Sequence, residues 1–318
     1  MLRRLCRRSD AKVLGCSIGL NFPQARRTLR LRYCGGGLVI ETIFATYRHN
    51  SKLNTYKIKS ESTKIMSAST PFSFQLYSAR NFFPLENVLR NIAEIGFTNV
   101  EPFPSLYEDP ASFKAMLGDL GLTAKSGHVS LRDVEEDLDQ TCRMAEILGM
   151  ETIVLPFIPA NIRPADKQEW LAMGERLSAA SRTFAKRGFG FAWHNHDFEF
   201  EALPDGTIPL ELLLGDDVMW EADLAWVVRS GNDPKSWLKR YSGRVPAVHV
   251  KDLALPGEKV DEKGWADVGT GVVPWVELWP LAVELGAKIM VAEHDQPLDY
   301  DRFARQSYRT MSKLNGGN

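Results

Sequence analysis

A single unit recurs along this sequence from residue 72 onward: a helical run, a glycine, a short β-rich run and then polar residues. A glycine directly after a helix can adopt the left-handed conformation that ends the helix, so that a strand follows at once. Two further β-rich runs, 217–223 and 245–251, lack this junction, and with 72–78 the number of predicted strands is eight. The five junctions are E-I-G-F-T-N-V-E at Gly96, D-L-G-L-T-A-K-S-G-H at Gly121, I-L-G-M-E-T-I-V-L-P at Gly149, K-R-G-F-G-F-A-W-H at Gly188 and E-L-G-A-K-I-M-V-A-E at Gly286.

The helical runs between these strands are amphipathic. Residues 132–148 place apolar side chains on one stripe, with Asp133 and Glu136 predicted to cap its start, and residues 167–186 form a second such helix. Eight alternations of strand and helix predict a single (β/α)₈ TIM barrel of the α/β class. A doubly wound open sheet is the alternative. It would need a glycine-rich phosphate loop after the first strand, and L-Y-S-A-R-N-F-F-P has none.

The first 65 residues differ from the rest in charge. They hold 14 Lys and Arg against three acidic residues, whereas the remainder holds 25 basic and 37 acidic residues. Such an Arg-rich, acid-poor stretch resembles an organelle transit segment. The alternative is that it is not a native domain and that Met66 is the true start. We exclude residues 1–65 from the fold, expect them to be disordered, and assign 66–318 to the barrel.

The composition, with 44% hydrophobic and 25% charged residues, is typical of a soluble globular protein. No apolar run approaches the roughly 20 residues that cross a bilayer, so no membrane partner is expected. Cys142 is the one cysteine after residue 65, and no C-x-x-C spacing occurs, which favours a reducing compartment. The predicted location is the cytoplasm, or an organelle if residues 1–65 are a transit segment.

Polar residues collect where the predicted strands end. In a barrel of this kind the C-terminal ends of the strands form one rim, where the chemistry takes place. Alternation along 188–200 puts two small residues and then His194 and His196 on one face. The other strand ends supply Glu101, His128, Glu199, Asp223, His249, Lys251, Asp252 and Glu293. Such carboxylates and imidazoles predict a site for Mn²⁺, Zn²⁺, Co²⁺ or Fe²⁺ rather than Ca²⁺. The plainer alternative is that each acid pairs with a nearby Lys or Arg.

Six motifs of the body resemble the xylose isomerase-like barrel superfamily: S-G-H-V-S-L, W-H-N-H-D-F-E-F, W-E-A-D-L-A-W, V-H-V-K-D, V-G-T-G-V-V-P-W and V-A-E-H-D. This group includes sugar isomerases and epimerases, inosose dehydratases and apurinic endonucleases. The resemblance implies one catalytic divalent metal, with Asp223, His249 and Glu293 as ligands from strands six to eight. Many members have Glu-Asn on strand five, where this chain has His-Asn. The fourth ligand is therefore either His194 or Glu199, the latter folding back from a hairpin with its turn at 204–206.

The resemblance also implies a reaction. A metal that chelates the carbonyl and neighbouring hydroxyl of a keto-sugar stabilises the enediolate formed when the α-proton leaves. Glu293, His196 and His128 are the candidate bases. Lys251 is a candidate partner of a hydroxyl, a phosphate or the enolate oxygen, or else it forms a salt bridge with Asp252 or Glu221. The predicted substrate contacts are Glu101, Glu199, Trp226 and Asp252.

Trp226 stands where tagatose-type epimerases have a histidine, so it is either a wall against a sugar ring or part of the core. We predict a metal-dependent sugar isomerase or epimerase of carbohydrate metabolism, with Mn²⁺ as the first metal and Zn²⁺, Co²⁺, Fe²⁺ or Mg²⁺ as alternatives. Its partner would be a small keto-sugar, free or phosphorylated, and a homodimer is compatible with the resemblance.

Three other functions stay open. Expulsion of a β-substituent shares the first step, and the strand-five glutamate is replaced, so an inosose dehydratase-like enzyme or a 3-keto-glycoside lyase or hydrolase is the runner-up. An apurinic endonuclease is disfavoured, and no nucleic-acid partner is expected, because residues 66–318 carry a net charge of −12. A catalytically silent binding barrel is the remaining class.

Overall fold

The computed structural model divides into two units, Met1–Ser69 and Thr70–Asn318, and it describes residues 70–317 together with the backbone of four strands in the first unit. Those strands pair in sequence order as an antiparallel meander: Cys16–Phe22, Ala25–Cys34, Gly37–His49 and Lys52–Lys57. The rest of residues 1–69, Met66 included, lies outside the described residues. The expected disorder of residues 1–65, and their exclusion from the native chain, therefore stay predictions.

Eight parallel strands form the main sheet of residues 70–317. They are β1 Phe72–Gln75, β2 Asn99–Glu101, β3 Ser126–His128, β4 Thr152–Leu155, β5 Gly190–His194, β6 Met219–Asp223, β7 Ala247–Val250 and β8 Ile289–Ala292. Their order across the sheet is β2-β1-β8-β7-β6-β5-β4-β3. The two outer strands also meet, since the backbone N–H of His128 donates to the Pro102 carbonyl at 2.9 Å. The sheet is thus nearly closed, and the predicted (β/α)₈ barrel is confirmed.

Helices connect the strands on the outside of this barrel. In residues 70–317 they are α1 Leu85–Ile95, α2 Pro110–Asp119, α3 Leu131–Glu135, α4 Leu138–Leu148, α5 Lys167–Lys186, α6 Pro209–Leu214, α7 Leu224–Arg229, α8 Pro234–Arg240, α9 Trp275–Glu284 and α10 Tyr300–Leu314. The helix predicted at 167–186 is α5, with the same bounds. No helix in this part of the chain is long and apolar enough to span a bilayer.

The glycine junctions end helices as the sequence predicts. At Gly96 and Gly149, which follow α1 and α4, φ is +118° and +78°, and each backbone N–H bonds back to carbonyls of the last helical turn. This left-handed conformation favours glycine because a Cβ would be crowded. The chain therefore leaves each of these helices and enters the next strand within three residues.

The strand predicted at 72–78 is too long. It ends at Gln75, because the side-chain oxygen of Gln75 accepts the backbone N–H of Tyr77 at 3.0 Å and caps a 3₁₀ turn, Leu76–Ala79. Strand β1 therefore stops early, and the turn carries the chain outward from the rim of the barrel.

The single helix predicted at 132–148 is wrong, because the chain breaks between α3 and α4 at Glu136 and Asp137. The predicted cap is wrong as well. The start of α3 is held by a reciprocal capping box in which Ser130 and Asp133 each accept the other's backbone N–H, so Asp133 does not pair with Glu136.

The core is a shell of apolar side chains between the barrel and its helices, as where Phe184 of α5 stacks on Phe191 of β5 with ring centroids 5.3 Å apart. Inside the barrel the base is narrow. A Cβ added to Gly190 would lie 2.4 Å from Met219 Cε on the neighbouring strand. The small residues of β5 thus let the strands approach closely below the site, and the polar strand ends collect above them.

Candidate metal centre and active site

The carboxyl ends of β5 to β8 each bring one polar side chain to the upper part of the barrel. His194 and Asp223 are the last residues of β5 and β6, His249 lies within β7, and Glu293 follows β8. The strand register pairs Asp223 with His249 and His249 with Val291, two residues before Glu293. Because alternate residues share a face, these four side chains all point inward.

These four residues come together into one candidate metal centre. Each offers one ligand atom, and the four atoms all lie within 4.8 Å of one another. His249 Nδ1 is 2.8 Å from Glu293 Oε2, and His194 Nε2 is 4.0 Å from Asp223 Oδ2. Two imidazole nitrogens and two carboxylate oxygens match the mixed ligation that Mn²⁺, Fe²⁺ and Zn²⁺ accept. The residues fit a divalent cation in number, type and spacing.

Unpartnered polar atoms at this centre support that fit. His194 Nδ1 and Glu221 Oε1 are buried and form no hydrogen bond, and Asp223 Oδ2, which also forms none, has the ammonium group of Lys251 at 3.1 Å as an ionic partner. Buried polar atoms normally have a partner, since leaving one unpaired costs about 1–3 kcal/mol. A bound cation would satisfy such atoms without any rearrangement of the barrel.

A second layer of polar side chains lies one step deeper. Glu101 Oε1 is 2.7 Å from His249 Nε2 and accepts a hydrogen bond from Gln75 Nε2 at 2.8 Å. Glu221 Oε2 is 2.9 Å from His128 Nε2. His128, His194, Glu221 and His249 form an alternative group of ligands by the same spacing criterion. For the group of His194, Asp223, His249 and Glu293, however, the carboxylates of this second layer, Glu101 and Glu221, contact His249 Nε2. A carboxylate on the second ring nitrogen is the usual support of a metal-ligating histidine.

Two predicted site residues, Glu101 and His128, lie in this deeper layer and do not line the cavity described below. Glu101 is fully buried and surrounded by Gln75, Ser126, His128 and His249, so its carboxylate faces the deeper layer. His128 belongs to the same layer. Although burial alone would lower it, the carboxylates of Glu101 and Glu221 raise the pKa of His128 to about 9. A charged His128 thus balances part of the negative charge below the centre.

The two histidines of the strand-five motif are neutral at pH 7. Burial, reinforced by the nearby His249, holds the pKa of His194 well below its usual value. Burial also lowers the pKa of His196 to about 4. A neutral imidazole has a free lone pair, so His194 is in the state that binds a metal and His196 in the state that accepts a proton.

Lys251 is the buried counter-ion of the centre. Its Nζ lies 3.1 Å from Asp223 Oδ2, 2.9 Å from Glu293 Oε2 and 2.8 Å from Asp295 Oδ1. Burial works against its charge, but these carboxylates raise the pKa of Lys251 above its usual value. Burial raises the pKa of Asp223 to about 6, with the Lys251 charge opposing the shift. The ammonium group is thus held charged among the predicted ligands, and not beside Asp252 or Glu221 as the salt-bridge alternative supposed.

A cavity of about 280 Å³ lies next to Lys251, whose Nζ contacts two residues that line it, Asp295 and Trp265. His196, Trp226, Trp265 and Asp295 line it, together with Tyr77, Arg80, Arg229, Lys263 and Gln296. The rings of Trp226 and Trp265 meet edge to face at 4.7 Å, and Lys251 Nζ lies 4.6 Å from the centroid of Trp265. Trp226 thus lines a small pocket while it also packs, partly buried, against the core, and its role as a wall against a sugar ring stays a prediction.

Glu199 does fold back toward β5, but no hairpin carries it. It lies in a 3₁₀ turn, Phe198–Phe200, where its carboxylate accepts the indole N–H of Trp193 at 3.0 Å and the backbone N–H of His196 at 2.9 Å. Burial raises the pKa of Glu199 to about 8. Its contacts hold the loop that carries His196, and it is absent from both candidate ligand groups of residues 70–317.

Asp252 is placed away from the cavity. Its buried carboxylate accepts the backbone N–H groups of Leu253, Gly269, Gly271 and Val273 at 2.8–3.1 Å. A Cβ at Gly271 would lie 2.1 Å from the carbonyl oxygen of Leu253. The V-G-T-G motif is thus a loop packed onto Asp252, and the contacts of Asp252 position that loop.

Seven residues that line the cavity were not predicted from the sequence: Tyr77, Arg80, Arg229, Lys263, Trp265, Asp295 and Gln296. Asp295 had a signal, because it follows Glu293 in V-A-E-H-D at the same parity. Lys263 and Trp265 had none, since they reach the cavity only because a long loop after β7 folds back through a short two-stranded ladder, Asp252–Leu253 with Trp265–Ala266.

Comparison with known proteins places the fold. No family model matches the chain. A rhizopine catabolism protein, MocC of Rhizobium meliloti, is 26% identical over 188 residues. That match spans 54% of this chain and 58% of MocC.

Solved structures match over nearly their whole length. A sugar phosphate isomerase/epimerase from Parabacteroides distasonis superposes with a TM-score of 0.66 at 21% identity, covering 78% of this chain and 97% of that one. A xylose isomerase-like TIM barrel protein from Mycobacterium smegmatis, in complex with magnesium, gives a TM-score of 0.60 at 16% identity, covering 78% and 97%. The chain therefore has the xylose isomerase-like TIM barrel fold.

Proposed function

We propose that this protein is a divalent-metal-dependent isomerase or epimerase of a keto-sugar, which acts by removing a proton next to a carbonyl. The observation that carries this proposal is the buried group of four potential ligand atoms, which Lys251 connects to the Asp295 side chain of a neighbouring small cavity with a neutral histidine in its wall. The resemblance to sugar isomerases in fold and in motifs supports the same class of reaction.

In this proposal His194, Asp223, His249 and Glu293 hold the cation, with Mn²⁺ as the first candidate. The chemistry that a bound divalent cation supplies is polarisation of a carbonyl, which makes the neighbouring C–H more acidic. His194 is favoured over Glu199 as the fourth ligand, because Glu199 is engaged by Trp193 and His196.

We assign the proton transfer to His196. Of the three candidate bases, His196 alone lines the cavity within the described residues, and its Nδ1 is buried without a partner. Glu293 is engaged by His249 and Lys251, and His128 lies in the deeper layer. Lys251, charged and beside the centre, stabilises negative charge that develops on the substrate oxygen. Trp226 and Trp265 form an apolar wall against the ring or chain of the sugar.

An elimination is the second candidate, as in an inosose dehydratase-like enzyme or a 3-keto-glycoside lyase. One observation favours it: β5 ends in His194, where many members of the resembled group have a glutamate, so the candidate centre lacks the strand-five carboxylate that a two-base epimerisation would use. Both reactions begin with loss of the same proton, so a single exchange experiment tests the shared step.

The test is proton exchange in deuterated water with added Mn²⁺, over a panel of keto-sugars, keto-inositols and 3-keto-glycosides. We expect deuterium to enter the carbon next to the carbonyl of at least one substrate. Asp223→Ala should lose the bound metal and at least about 10²-fold in exchange rate, whereas the exposed Asp216→Ala should change neither. Full exchange activity in Asp223→Ala, or no exchange with any of these ketones, would contradict the proposal.

A further inference from the structure

Three basic side chains line the cavity beside the candidate metal centre: Arg80, Arg229 and Lys263. We call them the cationic rim. Arg80 follows the 3₁₀ turn after β1, Arg229 is the last residue of α7, and Lys263 lies in the loop after β7. Three separate parts of the chain thus bring positive charge to one cavity.

Within residues 70–317, no carboxylate forms a salt bridge with any member of the rim. Arg80 Nη1 donates to the carbonyl oxygens of Tyr77 at 2.8 Å and Asp295 at 2.7 Å. Arg229 Nη1 donates to the carbonyl oxygen of Lys263 at 3.3 Å. These bonds orient the guanidinium groups without neutralising them, so that each keeps donors for a further acceptor.

The cavity lining contains one acid, Asp295, and it is paired. Asp295 accepts a hydrogen bond from Lys251 Nζ at 2.8 Å. Lys251 Nζ lies 4.6 Å from the centroid of Trp265, and the guanidinium carbon of Arg229 lies 4.7 Å from the same centroid. With three basic residues against one acid, the excess charge of the cavity lining is positive.

The loop that supplies Lys263 is held in a strained conformation. Lys259 and Lys263 have φ of +49° and +57°, values that cost a residue with a Cβ about 1 kcal/mol or more each. Between them Glu262, 1% exposed, accepts hydrogen bonds from Arg302 Nη2 and from the backbone N–H of Leu298. This buried anchor outweighs the strain and fixes Lys263 beside the cavity.

We infer that the cationic rim binds an anionic substituent of the substrate, a phosphate or a carboxylate remote from the reacting carbons. The inference rests on the proposed function for the position of those carbons, beside His196 and Lys251. A cavity of about 280 Å³ suits a single small sugar, which would reach from the metal centre to the cationic rim. Guanidinium and ammonium groups that converge on one point are the standard receptors of phosphate and carboxylate oxygens.

The binding test needs no turnover. Inorganic phosphate, titrated calorimetrically into the Mn²⁺-loaded full-length protein, should bind, and Arg229→Gln and Lys263→Gln should each weaken binding about tenfold. The matched control is Arg240→Gln. Arg240 also lies over a tryptophan, Trp237, but it pairs with Glu211 and does not line the cavity. No binding, or equal binding to all four proteins, would overturn the inference. Arg229, Arg240 and Lys263 are all exposed. Unfolding midpoints equal to that of the wild-type protein would show that the variants fold.

The kinetic test compares D-fructose, D-fructose 6-phosphate and 5-keto-D-gluconate in the deuterium-exchange assay. We expect kcat/KM for one of the two anions to exceed that for D-fructose at least tenfold, and this ratio to fall about tenfold in Arg229→Gln. A preference for D-fructose 6-phosphate would indicate recognition of a phosphate, and a preference for 5-keto-D-gluconate recognition of a carboxylate. Exchange that favours D-fructose would overturn the rim but leave the proposed function standing. Rim-dependent phosphate binding without any exchange would support the rim and contradict the proposed function.

Discussion

The end of strand β5 shows most clearly how one residue can change the chemistry of a common barrel. His194 occupies the position where a glutamate is expected from the motif resemblance, and its imidazole faces Asp223 and His249 in the same group of potential ligands. Replacing a carboxylate by a neutral imidazole removes one negative charge from a buried centre that already holds Asp223 and Glu293. A divalent ion there would therefore carry more residual positive charge, which strengthens its pull on a substrate carbonyl.

The choice between His194 and Glu199 gives a direct prediction. His194→Ala should lower the affinity for Mn²⁺ at least about tenfold, because one ligand is lost from a set of four. Glu199→Gln should keep the metal, since the carboxyl contacts Trp193 and His196 and its pKa of about 8 leaves it protonated at pH 7. Metal content per folded protein, measured by elemental analysis after dialysis, checks both. Loss of metal only in Glu199→Gln would reverse the assignment.

Residue identity at the strand ends could be predicted from the sequence, because parity along a strand decides which side chains share a face. This is why Asp223, His249 and Glu293 were found together. The depth of each residue could not be predicted in the same way. Glu101 and His128 end their strands as Asp223 does, yet they lie in the deeper layer, where His128 contacts Glu221, two residues before Asp223 on β6. Strand stagger, which no single strand reveals, sets that difference.

At the scale of elements, the loop after β7 both joins that strand to α9 and contributes residues to the cavity. It supplies Lys263 and Trp265 to the cavity, and it is held at its base by Asp252 and at its tip by Glu262. Although burial alone would raise it, hydrogen bonds from Arg302, from the backbone N–H of Leu298 and from Lys259 lower the pKa of Glu262 to about 2. The loop is therefore tied to α10 by an ionised, buried carboxylate.

This tie predicts a dependence of stability on pH. A carboxyl with a lowered pKa in the folded state stabilises the protein fully above its unfolded-state pKa, near 4.5, and loses that contribution as the pH falls toward 2. Relative to wild type, Glu262→Gln should lower the free energy of unfolding by at most about 3 kcal/mol at pH 7 and by progressively less between pH 4.5 and 2. Urea unfolding across this range measures the difference. The exposed Glu258→Gln is the control, and a pH-independent deficit in Glu262→Gln would contradict the account.

Helices and strands were the easiest elements to predict, because glycine junctions and apolar stripes are local signals. The break between α3 and α4 was not visible, since the stripe continues across it. Only the pairing of Ser130 with Asp133 shows where the first helix begins and how short it is. The path of the loop after β7 was equally hidden, because contacts with α10 and with Asp252 determine it and not its own sequence.

At the scale of the whole molecule, the candidate centre draws on four strands that are separate in sequence. A cation bound there would contact the folded barrel and not the unfolded chain, so binding adds directly to the free energy of unfolding. We expect saturating Mn²⁺, at about 100 times its dissociation constant, to stabilise the protein by about 2.7 kcal/mol relative to protein treated with a chelator. Thermal unfolding with and without Mn²⁺ measures this shift. An equal shift in Asp223→Ala would show that the ion binds elsewhere.

The arrangement of the strands has a consequence for how the protein matures. Glu293 stands just after β8, and β8 is the strand that joins β1 to β7 across the sheet. During synthesis, three of the four potential ligands are added to the chain before β8. The barrel that would hold them together is incomplete until β8 has emerged. Metal acquisition would then be a late event, one that follows completion of the barrel rather than guiding its assembly.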